Sequence, residues 1–305
     1  MTPPPPPRLL IGKTQVGVLG ATCSVGQRVL ERLSEVGSTV TAYSRKTRAE
    51  NARELDGVSW RQLRSALALG NAEAQPYWIC AAPIWVLPEY FPMIEGLGAK
   101  KIVAISSTSR FTKETSSDPE ERATAKRLAN AENTVSEWAE KNGVACVILQ
   151  PTLIYGHGRD KNIAEIARFI RRFGFFPVFG KAQGLRQPLH VDDLASACVA
   201  SLTTRLPHSS QCRVYAISGA ETLPYREMVR RVFEAMGRPA RILSLPLVSF
   251  RAATWLLRHI PRYRHWTPAM AERMNRDMAF DHSSARRDFG FSPRPFQLDP
   301  EDTAV

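Results

Sequence analysis

The order of apolar and polar positions predicts short strands that alternate with longer helices. Apolar runs rich in Val, Ile and Leu are typical of buried strands, and the segments between them repeat apolar residues every three to four positions. The predicted strands are 15–19, 39–43, 77–81, 101–106, 145–150 and 214–217. The predicted helices are 25–35, 88–97, 119–141, 162–172, 191–203 and 225–236. Such alternation favours right-handed parallel crossovers, so we expect an α/β fold with a doubly wound parallel sheet.

The segment 16–26 carries the strongest functional signal. An apolar strand runs into a turn that contains Gly20 and Gly26, and a helical pattern follows. This arrangement is typical of the first βα unit of a Rossmann-type fold, in which the backbone approaches a pyrophosphate and the helix N-terminus supplies N–H donors. Cys23 occupies the position where a third glycine is expected. Its side chain would crowd the pyrophosphate, which predicts weaker cofactor binding.

The end of the second predicted strand bears on cofactor choice. A free ribose 2′-hydroxyl calls for Asp or Glu about 20 residues after the first glycine, whereas a 2′-phosphate calls for Arg. Here the strand ends in Ser44, Arg45 and Lys46, with two cations and no acid. The sequence therefore predicts NADP in preference to NAD, unless these cations are simply a solvated strand end.

Taken in order, these features resemble the extended short-chain dehydrogenase/reductase superfamily, specifically the NAD-dependent epimerase/dehydratase family. The resemblance extends from about residue 15 to residue 296. It rests on a glycine-rich turn, a small-residue turn, a Ser/Thr strand end, an RPxxxYG-like segment and an HVDD helix start. These motifs lie at 20–26, 80–82, 105–108, 150–156 and 187–193.

The resemblance implies a set of cofactor contacts and a division of the chain. Residues 14–160 and 186–217 would form the dinucleotide-binding core, and residues 161–185 and 218–300 a small C-terminal substrate lobe. The Pro-rich residues 1–13 are expected to be a disordered tail. The expected cofactor-binding residues are Gly20, Thr22, Cys23, Ser24, Val25, Gly26, Ser44, Arg45, Lys46, Ala81, Ala82, Ser106, Pro151 and Thr152.

The chain departs from the family at its catalytic pair. Family members use a Tyr and, four residues later, a Lys, which together exchange a proton while hydride moves to or from the nicotinamide. Aligned on Glu132, these positions hold Thr124 and Leu128. Lys126 lies two residues from the Lys position, about 200° around the helix. An atypical enzyme, a protein without turnover and a misaligned helix remain alternatives.

Other side chains are candidates for the missing chemistry. The predicted catalytic residues are Thr108, at the family's Ser/Thr position, Thr124 and Tyr155. His157 and Lys126 are further sources of acid or base, and His190 is expected to be structural at a helix entry. Cys23 could be a redox-active thiol at a helix N-terminus, although tolerance of a small side chain is the simpler interpretation.

Composition limits the class of partner. The chain has 41 Lys and Arg against 29 Asp and Glu, giving a formal charge of +12. This balance favours an anionic small-molecule substrate, phosphorylated in our prediction, and the 14 arginines from Arg226 onward suit a phosphate. Without interleaved aromatic residues or a recognition motif, no nucleic-acid partner is expected. The basic, apolar segment 246–266 suits either a lid helix or peripheral contact with anionic lipid.

The remaining predictions concern membrane insertion, the redox compartment, metal binding and the oligomeric state. No apolar run reaches about 18 residues, so no membrane-spanning helix is expected. Five scattered cysteines without a CxxC pair indicate thiols in the cytoplasm, and no metal site is expected because no cluster has ligand spacing. A homodimer is an open alternative.

The sequence thus predicts an NAD(P)-dependent oxidoreductase or epimerase/dehydratase-like protein that acts on a nucleotide-activated or phosphorylated sugar. The alternative is a catalytically silent NADP-binding subunit of a larger or membrane-associated assembly, or a sensor of redox state or of NADP level.

Overall fold

A computed structural model of the chain describes residues 14–45, 54–63, 73–160, 162–204, 212–246 and 268–303. The predicted tail 1–13, the cation Lys46 and nearly all of the basic segment 246–266 lie outside these ranges. Within the described residues, no helix combines the length and apolarity needed to cross a bilayer. The division into a core and a C-terminal lobe stays a prediction.

A seven-stranded parallel sheet forms the centre of the described structure. Its strands are β1 (Gln15–Leu19), β2 (Thr39–Ser44), β3 (Val58–Gln62), β4 (Tyr77–Cys80), β5 (Lys101–Ile105), β6 (Ala145–Pro151) and, after four short strands, β11 (Cys212–Ile217). The order across the sheet is β11-β6-β5-β4-β1-β2-β3, and every pairing is parallel. The predicted Rossmann-type α/β fold is therefore confirmed.

Short strands and helices complete the described elements. The short strands are β7 (Ile154–Tyr155), β8 (Phe176–Phe179), β9 (Leu185–Arg186), β10 (Leu189–His190), β12 (Leu223–Pro224) and β13 (Ile242–Leu245). The helices are α1 (Ser24–Glu35), α2 (Phe91–Gly96), α3 (Ser109–Thr112), α4 (Pro119–Lys141), α5 (Ile163–Phe173), α6 (Val191–Thr203), α7 (Tyr225–Ala235), α8 (Pro268–Arg273), α9 (Ser283–Phe289) and α10 (Pro300–Thr303).

The predicted helix 88–97 is wrong in its form. A 3-10 helix spans Ile84–Tyr90, and α2 follows only from Phe91. Proline lacks the N–H that an α-helix interior needs, and Pro88 lies inside the first of these helices. The segment therefore begins earlier than predicted and is divided in two.

The sheet creates a ligand position at its carboxyl edge. The chain leaves β1 toward β2 and β3 on one side, and later continues through β4, β5 and β6 on the other. The two crossovers diverge at β1, which leaves a crevice at its carboxyl end, where open α/β sheets bind ligands.

Three hydrophobic clusters hold this arrangement. The first packs α1 and α6 against one face of the sheet, and the second packs the 3-10 helix, α2 and α4 against the other. The third joins α5, β8 and α7 with residues of the C-terminal region such as Phe296. Burial of apolar surface at about 25 cal/mol per Å² makes these clusters the main source of stability.

Candidate functional site

The turn after β1 is built so that only glycine fits at two positions. Gly20 has φ +77°, and a Cβ there would lie 2.9 Å from the carbonyl carbon of Ala81 and closer still to the nitrogen of Ala82. At Gly26 a Cβ would lie 3.0 Å from the Cα of Ala21 and closer still to the oxygen of Gly20. Both positions bring backbone against backbone, which leaves the N-terminus of α1 open toward the carboxyl edge of the sheet.

Cys23 is the N-cap of α1. Its thiol sulfur accepts the N–H of Gly26 at 3.2 Å, and the thiol donates to the carbonyl of Ala81 at 3.4 Å. Burial raises the pKa of Cys23, although backbone donors oppose this shift. The thiol therefore caps α1, and burial outweighs the lowering of its pKa by the backbone donors of the helix N-terminus.

A cavity of about 490 Å³ lies beside this turn. Its lining includes the predicted Gly20, Thr22, Cys23, Ser44, Arg45 and Ala82. It also includes Cys80, which begins the predicted small-residue turn, and residues that sequence reasoning missed: Leu19, Tyr43, Leu63, Pro83, Val86, Leu87 and Tyr90. Apolar side chains with a few polar groups at the rim are typical of a small-molecule site. Because Leu63 follows β3, which the pattern did not predict, its place in the cavity had no sequence signal.

The predicted cofactor residues of β5 and β6 lie farther along the same edge. Ser106 is buried and donates to the carboxylate of Glu132, while the hydroxyl of Thr152 donates to the carbonyl of Gln187 at 2.6 Å. Pro151 ends β6. These groups lie at the carboxyl ends of strands next to the cavity, the side toward which an extended dinucleotide would run.

Glu132 is a buried carboxylate that connects this edge to α4. It accepts from Ser106, from the amide of Gln150 at 2.9 Å and from the guanidinium of Arg110. Removal of one partner from such a network leaves a buried polar group unpaired. Arg110, which lies in the short helix α3, was missed because its partner is 22 residues away in sequence.

The hydroxyl of Thr108 is already engaged in a hydrogen bond within the protein. It is buried and donates to the carbonyl of Pro151 at 3.0 Å, and its own N–H donates to the same oxygen. The neighbouring Ser107 is half-buried, and its oxygen accepts the N–H of Ser109 at 3.1 Å. That bond leaves the hydroxyl hydrogen of Ser107 for another acceptor, so Ser107 joins Thr108 as a candidate for substrate contact.

The two positions that align with the family's Tyr and Lys carry no comparable groups. Thr124 is half-buried on α4, and its hydroxyl donates to the carbonyl of Glu120 at 2.9 Å. Leu128 is 4% exposed and packs in the second hydrophobic cluster. Lys126 is exposed. Thr124 therefore lies on the predicted helix, with its hydroxyl hydrogen engaged by the preceding turn.

The position of Tyr155 is at odds with the predicted exchange of a proton with a substrate. Its ring is 1% exposed, and its hydroxyl donates to the carbonyl of Gln297 at 3.2 Å. Burial, with the charges of Asp302 and Asp193, raises the pKa of this phenol. The side chain packs against His190 and Phe296, so its role in the structure is to hold the third cluster together.

His157, His190 and Asp192 lie together, although no metal cluster was expected from the sequence. Their ligand atoms are within 4.8 Å of one another. The imidazole of His190 accepts the N–H of Asp192 at 3.2 Å, and Asp192 also pairs with Arg28 of α1. These side chains join α1, α6 and the C-terminal residues, and the absence of a metal stays a prediction.

Arg186 is a buried cation that sequence reasoning did not select. It is 5% exposed, and its guanidinium donates to the carbonyls of Leu185, Arg273 and Arg276. Burial lowers its pKa to about 10, which leaves it charged at neutral pH. No ion pair between described residues includes it. The charge of Asp277 nevertheless raises the pKa of Arg186, so a carboxylate acts on this guanidinium without forming an ion pair.

A parallel sheet whose first strand ends in a glycine turn, with a cavity at its switch point, defines a Rossmann-type nucleotide-binding protein. The model of the NAD dependent epimerase/dehydratase family matches residues 92–217. The resemblance to the extended short-chain dehydrogenase/reductase superfamily that the sequence predicts is therefore confirmed over this segment.

Individual relatives are distant. An uncharacterized protein of Sinorhizobium fredii is 28% identical over 205 residues, which are 65% of this chain and 50% of that protein. The chain spans about half the length of that relative. An epimerase of Methanothermobacter thermautotrophicus has a TM-score of 0.71 at 14% identity, with 96% of this chain and 91% of that chain covered. The UDP-glucose 4-epimerase of Thermotoga maritima, solved with UDP-glucose, gives 0.65 at 14% identity, with 95% and 96% covered.

Proposed function

We propose that the protein is an NADP-dependent oxidoreductase or epimerase that acts on a nucleotide-activated or phosphorylated sugar. The observation that carries the proposal is the cavity that joins the glycine turn to Arg45. A bound nicotinamide cofactor supplies hydride chemistry. The residues of this chain would hold its pyrophosphate at 20–26 and would place its nicotinamide end toward β5 and β6.

The preference for NADP is supported by the far end of the cavity. Ser44 ends β2 and Arg45 follows it, and both line the cavity, as does the half-buried Tyr90. A guanidinium binds phosphate through two parallel hydrogen bonds, which a ribose hydroxyl does not offer. Arg45 is therefore proposed to bind the 2′-phosphate.

An anionic substrate is supported by Arg186. Arg186 does not line the cavity beside the glycine turn, and its guanidinium donates to backbone carbonyls. Its support for the proposal is the positive charge that it keeps inside the protein, which favours a ligand that brings negative charge. A nucleotide-activated sugar carries two phosphates, and UDP-glucose is such a molecule in the Thermotoga maritima structure. The same class of ligand is proposed for this chain.

A cofactor titration followed by a turnover assay tests the proposal. We expect NADPH to bind more tightly than NADH, as measured by the change in NADPH fluorescence on titration with the protein. A panel of nucleotide sugars and sugar phosphates would then be incubated with the complex, and oxidation of NADPH or change in sugar configuration would be followed. Equal affinity for NADPH and NADH would contradict the cofactor assignment.

A second candidate function is a silent NADP-binding subunit. Its supporting observation is that the predicted catalytic hydroxyls of Thr108, Thr124 and Tyr155 each donate to a backbone carbonyl. A hydroxyl engaged in this way is poorly placed to give its proton to a substrate. Tight NADPH binding without turnover of any sugar in the panel would favour this function over the first.

Replacement of Thr108 tests whether its hydroxyl only stabilises the fold or also takes part in the reaction. Thr108→Ala removes one of the two donors to the Pro151 carbonyl and leaves the N–H of residue 108 in place, so we expect a loss of about 1 kcal/mol in the free energy of unfolding. If Thr108 contacts the substrate, turnover falls as well while NADPH affinity is unchanged. Thr108→Ser keeps the hydroxyl and is the control. Full activity of Thr108→Ala would remove Thr108 from the mechanism.

A further inference from the structure

Two cysteines face each other at the end of the sheet opposite the nucleotide cavity. Cys146 near the start of β6 and Cys212 at the start of β11 are directly paired in register. Neighbouring strands lie about 4.8 Å apart, and a disulfide needs a Cα separation of about 4.4–6.8 Å. Both residues are thiols in this structure. The backbone therefore holds them within bridging distance.

The surroundings distinguish the two sulfurs. Cys146 is fully buried, whereas Cys212 is half-buried. The hydroxyl of Ser136, on α4, donates to the sulfur of Cys212 at 3.1 Å. The hydrogen bond from Cys146 lowers the pKa of Cys212, and Ser136 lowers it further against the effect of burial. The same bond and burial raise the pKa of Cys146. Cys212 is the more acidic and the more accessible thiol of the pair.

We propose that Cys146 and Cys212 are a peroxide-sensitive thiol pair, in which Cys212 is oxidised first and Cys146 resolves it to a disulfide. The Cys212 thiolate attacks one oxygen of a hydroperoxide, so that the O–O bond breaks, a sulfenic acid forms and an alcohol or water leaves. The Cys146 sulfur then attacks the sulfenic sulfur, and water leaves as the S–S bond forms. In total, two thiols are oxidised and one peroxide is reduced.

Cys23 provides an internal comparison. It is half-buried like Cys212, but its thiol hydrogen donates to Ala81 and burial raises its pKa. Because the thiolate is the reactive form, Cys23 should react with peroxide more slowly than Cys212. At Cys23 burial thus outweighs both the helix N-terminus and the donors that reach the sulfur.

The experiment treats the full chain with one equivalent of hydrogen peroxide and maps the products by mass spectrometry. We expect a peptide pair linked through Cys146 and Cys212, lighter than its reduced form by the mass of two hydrogen atoms. In Cys146→Ala the sulfenic acid should persist at Cys212 and be trapped by a dimedone probe. Ser136→Ala should slow the reaction severalfold.

One control variant and one binding measurement separate oxidation of the thiol pair from misfolding and from failure of the proposed function. Cys198→Ala removes a fully buried thiol outside the pair and should leave the linked peptide unchanged. NADPH affinity should be the same before and after oxidation, since the pair lies at the opposite edge of the sheet. Oxidation of Cys23 before Cys212, or trapping of Cys146 rather than Cys212, would overturn the proposal. So would survival of both thiols of the pair under peroxide.

Discussion

Gly20→Ala is expected to weaken NADPH binding by roughly 100-fold or more. The added Cβ would press on the backbone of Ala81 and Ala82, so the turn has to open where the pyrophosphate is expected. The left-handed backbone itself costs about 1–2 kcal/mol for a residue other than glycine, and each 1.4 kcal/mol of binding free energy is a tenfold change in affinity. Titration of NADPH fluorescence measures the effect.

Gly37→Ala is the matched control. Gly37 has φ +74°, nearly the value of Gly20, but a Cβ there would meet nothing within 4 Å. Both variants therefore carry the same left-handed backbone strain, about 1–2 kcal/mol, and Gly20→Ala should lose more free energy of unfolding because its Cβ also presses on backbone. Only Gly20→Ala should lose nucleotide affinity. Equal losses in both variants would show that the close approach of backbone at Gly20 does not form the binding site.

Arg45→Ala is expected to abolish the preference for NADPH. A hydrogen bond to a charged group contributes about 1.5–3 kcal/mol, which corresponds to about 10- to 100-fold in affinity. NADH lacks the 2′-phosphate, so its affinity should be unchanged. The measurement is the ratio of the two dissociation constants in wild type and variant.

Arg61→Ala is the control for general loss of positive charge. Arg61 is an exposed cation on β3, paired in register with Tyr43, and it does not line the cavity. Its replacement should change both affinities only slightly, and less at higher salt. If NADPH affinity survives in Arg45→Ala, or falls equally in Arg61→Ala, the proposed 2′-phosphate contact is wrong.

The predicted elements were most accurate where burial or capping left a clear pattern. The prediction for β1 matches at both ends because Val16 and Val18 are fully buried. The prediction for α4 also matches, since Asp118 caps its first turn and Pro119 fixes its start. β3 was missed because most of its side chains are exposed, so no apolar run marks it.

The candidate site was only partly predictable, because sequence motifs identify backbone features better than side-chain partners. The glycine turn and Arg45 depend on local backbone geometry, and both lie at the cavity as expected. The contacts of Tyr155 with Gln297 and of Glu132 with Arg110 join residues far apart in sequence. Such partners are fixed by tertiary packing, which a single sequence does not reveal.

The cap that Cys23 places on α1 affects how long a coenzyme stays bound. A thiol already accepts the N–H of Gly26, so an incoming pyrophosphate has to displace the sulfur or do without that donor. Both outcomes make the binding free energy less favourable, and we expect the loss to appear as faster dissociation rather than slower association. We therefore expect the coenzyme to exchange with the pool in solution, as a co-substrate does, and not to remain as a prosthetic group.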